Sequence, residues 1–328
     1  MTSSGQPRRL GAALRRWETV LVVILVAICA INALATPYFL DLHNLFDSTL
    51  MFSEKAIMAL PMTLVIIGRD IDLSVASIVA LCSTAMGYLA SEGVGSLGLV
   101  AASLTVGTLA GMFNGAIITR FRVPAIVVTI GTLSLFRGIP SVVLGDGAYT
   151  DYPEGFSQLG QGYLFDLIPY QFVVFVGLAI GFTVLLHRTV IGRNLYAYGH
   201  NPDAARYSGI PVDRYRFWLF TLNGLICGLA AAFLTSRVGA TRPNIAQGWD
   251  LEVITIVVLG GVSIMGGTGT MPGVGLSILV MGTLTFGLSL RNIAGIIMSI
   301  VIGVLLIAAV ALPIVARKIS ARRARALS

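Results

Sequence analysis

Residues 57–82 read IMALPMTLVIIGRDIDLSVASIVALC, two apolar runs divided by the cluster Gly68-Arg69-Asp70-Ile71-Asp72-Leu73-Ser74. Extended back to residue 46 and on to 91, each run reaches the roughly 20 mainly apolar residues that a bilayer-crossing helix needs. The alternation continues on both sides. A window of that length places spans near 18–36, 46–68, 73–91, 96–119, 124–145, 168–187, 217–236, 251–266, 271–290 and 293–315. The expected fold is all-α: a polytopic integral membrane bundle of about ten transmembrane helices, some of them broken.

Composition requires the same environment. Of 328 residues, 56% are hydrophobic and 11% charged, against the ~25% charged of a soluble domain. Too few charges are available to clothe the surface in water, which excludes a soluble enzyme, a disordered chain and a coiled coil. The net charge of +7 is explained by position. Arg8, Arg9, Arg15 and Arg16 precede the first run, and Arg317, Lys318, Arg322, Arg323 and Arg325 follow the last, so both termini are expected to be cytoplasmic. With an even number of spans, 188–216 is cytoplasmic and rich in Arg, whereas 146–167, with Asp146, Asp151, Glu154 and Asp166, is external. The organisation read from this is a basic tail over 1–17, one membrane domain over 18–315 and a second basic tail over 316–328. The run from Thr19 to Ala35 lacks a cleavage signature and reads as a retained helix. Cys29, Cys82 and Cys227 lie in apolar runs and indicate neither a disulfide nor a metal site. No nucleic-acid partner is implied.

Helix breaks are expected at Pro61, Gly68, Gly260-Gly261, Gly266-Gly267 and Pro272-Gly273, because Pro and Gly remove or weaken helical hydrogen bonds that lipid cannot replace. The stretches 57–80 and 254–280 share an apolar run, a Gly-containing break and a small-residue helix. They read as a weak internal repeat of the kind that sets discontinuous helices around a transport path. Asp72 and Ser74 stand where they would cap the following helix. Arg69 with Asp70 reads as a surface ion pair or as a partner for another subunit, and Glu54 with Lys55 as a local ion pair. Asn114 and Asn223 lie in Gly-rich spans, where a buried amide finds a partner across a close helix contact.

The longest cytoplasmic loop holds Gly199-His200-Asn201-Pro202-Asp203-Ala204-Ala205-Arg206-Tyr207-Ser208-Gly209-Ile210. Asn201 is placed to cap a helix that opens with Pro202 and ends at Gly209, with Pro211 just beyond. A helix of about two turns, isolated between two spans, is too short to stand alone in water and must dock on something.

This segment resembles the coupling segment in permeases of the ribose-type family of bacterial ATP-binding-cassette sugar importers. Two further motifs agree in order and spacing. Ile71-Asp72-Leu73-Ser74-Val75-Ala76-Ser77 is similar to that family's Ile-Asp-Leu-Ser-x-Gly-Ser segment. Val258-Leu259-Gly260-Gly261-Val262-Ser263, with Gly266-Gly267-Thr268-Gly269-Thr270 and Gly273, resembles its second-half glycine signature. Arg69-Asp70 and Ala76 depart from the small residues usual there. The resemblance covers about 45–315 and is greatest to the branch importing rhamnose or the furanosyl signal autoinducer-2.

The resemblance implies a non-enzymatic permease subunit in a bacterial inner membrane. It would pass a monosaccharide, rhamnose-like by preference, by alternating access. The implied partners are a second permease, identical or sister, a periplasmic sugar-binding protein and a cytoplasmic ATPase that holds ATP and magnesium. The chain itself would bind no cofactor, consistent with its lack of a Gly-x-x-x-x-Gly-Lys-Ser/Thr loop. Asn201, Asp203, Ala204, Ala205, Arg206, Ser208, Gly209 and Ile210 would fit the ATPase. Asp72, Ser74, Ser77, Asn114, Thr129, Ser263 and Thr268 are candidates to line the path, and 37–45, 146–167 and 237–250 to meet the binding protein. The alternative is a self-contained secondary transporter, which should carry acidic groups deep in its spans.

Overall fold

The computed structural model describes residues 17–305 with 307, 308 and 311; the tails expected over 1–17 and 316–328 lie outside these, Trp17 excepted. The helices are α1 (Trp17–Ala35), α2 (Leu42–Ser48), α3 (Ser53–Ile67), α4 (Val75–Ser91), α5 (Ser96–Arg120), α6 (Ala125–Leu144) and α7 (Ser157–Gln161). They continue as α8 (Tyr170–Arg188), α9 (Val190–His200), α10 (Pro202–Tyr207), α11 (Val212–Val238), α12 (Trp249–Leu259) and α13 (Met271–Ser289). A further apolar helix, α14, covers Gly295–Leu305. The only sheet among the described residues is an antiparallel hairpin of β1 (Tyr163–Leu164) and β2 (Ile168–Pro169).

Among the described residues, six helices are long and apolar enough to cross a membrane, namely α1, α5, α6, α8, α11 and α13. The segment Leu42–Met51 joined to α3 with a 55° bend makes a seventh. Two other expected spans are shorter. α4 has 17 residues, and where a span was expected over 251–266, α12 has only 11. At 1.5 Å per residue α12 covers about half of a ~30 Å hydrocarbon core. It stops because Gly260 caps it and Gly261, at φ 86°, takes the left-handed conformation, leaving 260–270 irregular. Pro61 breaks nothing, since α3 runs through it and the bend falls earlier, at Phe52. Gly273 likewise sits in the first turn of α13, whose cap Thr270 accepts its amide at 3.1 Å.

α3 is the central helix. Every residue in it except Lys55 is buried, as an all-round apolar sequence requires. α5 and α11 form the largest helix contact through Gly107 and Gly111 against Gly224 and Gly228. A Cβ on Gly111 would collide with the Phe220 carbonyl. Between membrane helices there is no hydrophobic drive to associate, so backbone proximity and hydrogen bonds such as Ser103 Oγ to Gly228 O, 2.7 Å, hold the pair. The outer faces of α1, α6 and α8 expose Val, Ile and Leu, a surface suited to lipid. Cys82 and Cys227 are buried, Cys29 half-buried, and all three are free.

Contacts give each helix a direction. Trp17 Nε1 donates to Leu259 O at 2.7 Å, so α1 begins at the end of the bundle where α12 finishes. Arg216 near the start of α11 bonds Asp70, and Arg237 near its finish bonds Glu54. One end therefore gathers Trp17, both breaks (68–74 and 260–270) and 188–216. The other gathers 146–169 and 239–248.

Candidate functional site

α10 forms as its sequence dictates. The Asn201 side-chain oxygen accepts the Asp203 and Ala204 amides, each at 3.1 Å. Its exit is a Schellman turn, with Ile210 N donating to Ala205 O and Gly209 N to Arg206 O, each at 3.0 Å, and Gly209 at φ 84°. The helix is not isolated, however. α9 precedes it directly, capped by Thr189 and burying Leu195, Tyr198 and Gly199. The signal for α9 was the spacing of Leu195 and Tyr198 on one helical face. Within α10, Ala205 is buried and Ile210 half-buried, whereas Asn201, Asp203, Ala204, Arg206, Ser208 and Gly209 face outward.

The three motifs read separately in the sequence meet in one junction. Gly267 N donates to Ile67 O at 2.8 Å, joining the second break to the end of α3. Gly199 lies over both: a Cβ there would collide with the Ile67 carbonyl and come within 2.9 Å of Gly267 N. Tyr196 Oη donates to Gly269 O at 2.6 Å. Burial raises the Tyr196 hydroxyl above its ordinary range, so it remains a donor. Asp70 does not pair with its neighbour Arg69 but accepts two hydrogen bonds from Arg216, both at 2.7 Å. Arg69 is left-handed, at φ 67°, and its side chain covers Gly266. Ser263 and Thr268 belong to this junction, tied by Ser263 N to Thr268 O at 3.0 Å.

Just inside the junction is a buried polar knot. Asp72, fully buried, accepts the Ser74 amide at 2.9 Å and the Ser74 hydroxyl at 2.6 Å on one oxygen, and Asn223 Nδ2 at 2.9 Å on the other. Asn114 Nδ2 donates to Ser74 Oγ at 2.8 Å. Ser74 therefore caps nothing with its side chain; its hydroxyl is engaged by Asp72 and Asn114. Thr129 Oγ1 donates to Ile71 O at 3.3 Å. Thus Asp72, Ser74, Asn114 and Asn223 come together, with Thr129 beside them.

Ser77, one turn further along α4, lines a cleft of about 380 Å³ with Arg137 and Ser141 of α6 and Asn244, Gln247 and Asp250 before and within α12. Arg137 Nη1 donates to Pro243 O and Ile245 O at 3.0 and 2.6 Å. The same loop is pinned by the Tyr149–Thr241 bridge and by Tyr152 Oη with Thr241 Oγ1 at 2.6 Å. Burial pushes the Tyr152 hydroxyl up to about 12. At this end Glu54 and Lys55 do not pair with each other. Glu54 meets Arg237 at 2.7 Å and Lys55 meets Glu252 at 2.5 Å, because consecutive helical residues diverge by about 100°. Among the described residues no group of acidic, His and Cys side chains could hold a metal.

Comparison with known proteins places the chain in a family. Residues 44–310 match the model of the permease component of branched-chain amino acid transport systems. The chain is 35% identical over 313 residues to the autoinducer 2 import system permease protein LsrD of Photorhabdus temperata, covering 94% of this chain and 92% of that one. It is 35% identical to the LsrD of Yersinia enterocolitica and 34% to that of Escherichia coli K12, each over 94% of this chain and 93% of the relative. No solved structure matches. The chain belongs to this family of transport-system permease components.

Proposed function

We propose that the chain is the membrane-spanning subunit of an ATP-driven importer for a small furanose-like monosaccharide, working in a bacterial inner membrane. The observation that carries the reading is the junction. α10 offers an outward face while its buried Ala205 and the adjoining α9 rest, through Gly199, on the ends of both broken helices. A partner that moves α10 thereby moves both, which a transporter energised from within its own spans would not need. The partner is a cytoplasmic ATPase carrying ATP and magnesium, so the 188–216 end and both termini face the cytoplasm in a ten-pass topology.

The cleft at the other end supports entry from outside. It runs from the 243–250 segment to Ala76 and Ser77 in the first turn of α4. A periplasmic binding protein would deliver solute at 37–45, 146–167 and 237–250, and a second permease, identical or sister, would complete the path. The relatives' names favour an autoinducer-2-like solute over rhamnose. The cleft's amide and charged groups can hold a solute through hydrogen bonds. Purification from native membranes tests the reading: co-purification of an ATPase and ATP-dependent sugar uptake in liposomes are expected. ATPase-free protein that transports by itself would overturn it.

A further inference from the structure

The cleft holds two charges that the protein leaves incompletely used. Arg137 spends only Nη1, on the Pro243 and Ile245 carbonyls. Among the described residues, Nε and Nη2 have no protein hydrogen-bond partner. Asp250 lines the same cleft and lies within electrostatic reach of the guanidinium, yet the two form no ion pair and the carboxylate accepts no hydrogen bond among the described residues. The two backbone bonds hold the guanidinium at the 243–245 segment. A half-buried fork of donors and a half-buried carboxylate, held apart across a cavity, form an arrangement that a ligand would complete.

We infer that Arg137 and Asp250 form a solute-binding pair for a cyclic polyol with vicinal hydroxyls. This rests on the importer reading and names its recognition chemistry. The planar guanidinium presents two parallel donors, the spacing of two oxygens on adjacent carbons. Asp250, acceptor-only when ionised, takes hydroxyl protons that Arg137 cannot. Asn244 and Gln247 supply amides able both to donate and to accept. An anionic solute would satisfy Arg137 but meet repulsion from Asp250. A branched-chain zwitterion would engage both charges, with its side chain against Leu133 and Pro243, but would leave the Asn244 and Gln247 amides without partners. The neutral polyol uses both charges and both amides. Both residues are solute contacts, and the pair is a specificity determinant.

The test reads binding without transport or ATP. Ser141 is exposed in the cleft, and Cys82 and Cys227 are buried. In membranes containing the full chain, Ser141→Cys is labelled with a thiol reagent, and the Cys29→Ser background removes the remaining half-buried thiol. Methyl β-ribofuranoside, with its vicinal hydroxyls, is expected to slow labelling at millimolar concentration. The 2-deoxy analogue and leucine are expected to need at least tenfold more. Arg137→Gln and Asp250→Asn should each abolish protection while labelling without solute keeps its rate, which shows the cleft intact. Equal protection by the 2-deoxy sugar, protection by leucine instead, no protection by the riboside, or protection surviving both substitutions overturns the assignment. Because labelling needs no ATPase, loss of the importer reading would show separately, as protection without an associated ATPase.

Discussion

The Gly267 amide donates to the Ile67 carbonyl at 2.8 Å, so the two broken helices are joined backbone to backbone with no side chain between them. Gly199 lies over this bond closely enough that any Cβ would strike the Ile67 carbonyl. Gly199→Ala cannot be absorbed by a rotamer change, since both atoms it meets are backbone. Overpacking of this kind costs about 1–3 kcal/mol. The chain should still insert, but uptake should fall at least tenfold while ATP hydrolysis by the complex persists. Reconstituted vesicles assayed for both would decide it, and unchanged uptake would show that the junction transmits nothing.

Asp70 and Arg216 tie the first break to the start of α11 with two bonds of 2.7 Å, their side chains only 9% and 19% exposed. Removing one partner leaves the other desolvated, and such losses cost about 3–5 kcal/mol in buried pairs. Arg216→Ala should therefore lower the unfolding temperature in detergent markedly. Arg216→Lys keeps the charge but loses the fork, and should recover part of the loss. Equal stability of Arg216→Ala and the parent would rule out a structural clamp.

Much of this arrangement was legible in the sequence, and the failures share a cause. Asn201, Pro202 and Gly209 specify α10 by local backbone chemistry, which a single sequence records directly. Span positions followed from hydropathy for the same reason. Partner choice did not: Asp70 takes Arg216, Glu54 takes Arg237 and Lys55 takes Glu252, all distant in sequence, where adjacency suggested local pairs. Ser263 and Thr268 were read as path residues on small size and polarity alone. Only the fold puts them beside Gly267, at the junction, and Ser77 in the cleft. The span expected over 251–266 stops at its expected break, Gly260-Gly261, because the left-handed backbone at Gly261 ends α12 there.

The Asp72 knot invites a graded test. Asp72→Ala would strand three donors, the Ser74 amide and hydroxyl and Asn223 Nδ2, in a site without water access. Each stranded group costs about 1–3 kcal/mol, so folded yield should collapse. Asp72→Asn preserves size and one acceptor oxygen and should retain measurable folded protein, with lower thermal stability. Fluorescence-detected size-exclusion chromatography across a temperature series separates these outcomes. Equal yields for Ala and Asn would mean the carboxylate is not the hub of the knot.

Asp203 and Gly209 test the outward face of α10 without touching its anchors. The Asp203 side chain is 84% exposed, and a Cβ on Gly209 would meet nothing within 4 Å. Their replacement thus disturbs the bundle only through the left-handed backbone at Gly209, a cost on the order of 1 kcal/mol. Asp203→Arg combined with Gly209→Trp reverses one charge and adds bulk where the ATPase is proposed to seat. Expression and thermal stability should stay close to the parent's, while uptake is lost and ATP hydrolysis no longer rises with loaded binding protein. Gly209→Ala alone serves as the control, because it carries the backbone cost without the bulk and should transport nearly normally. Normal uptake by the double variant would remove α10 from the coupling path.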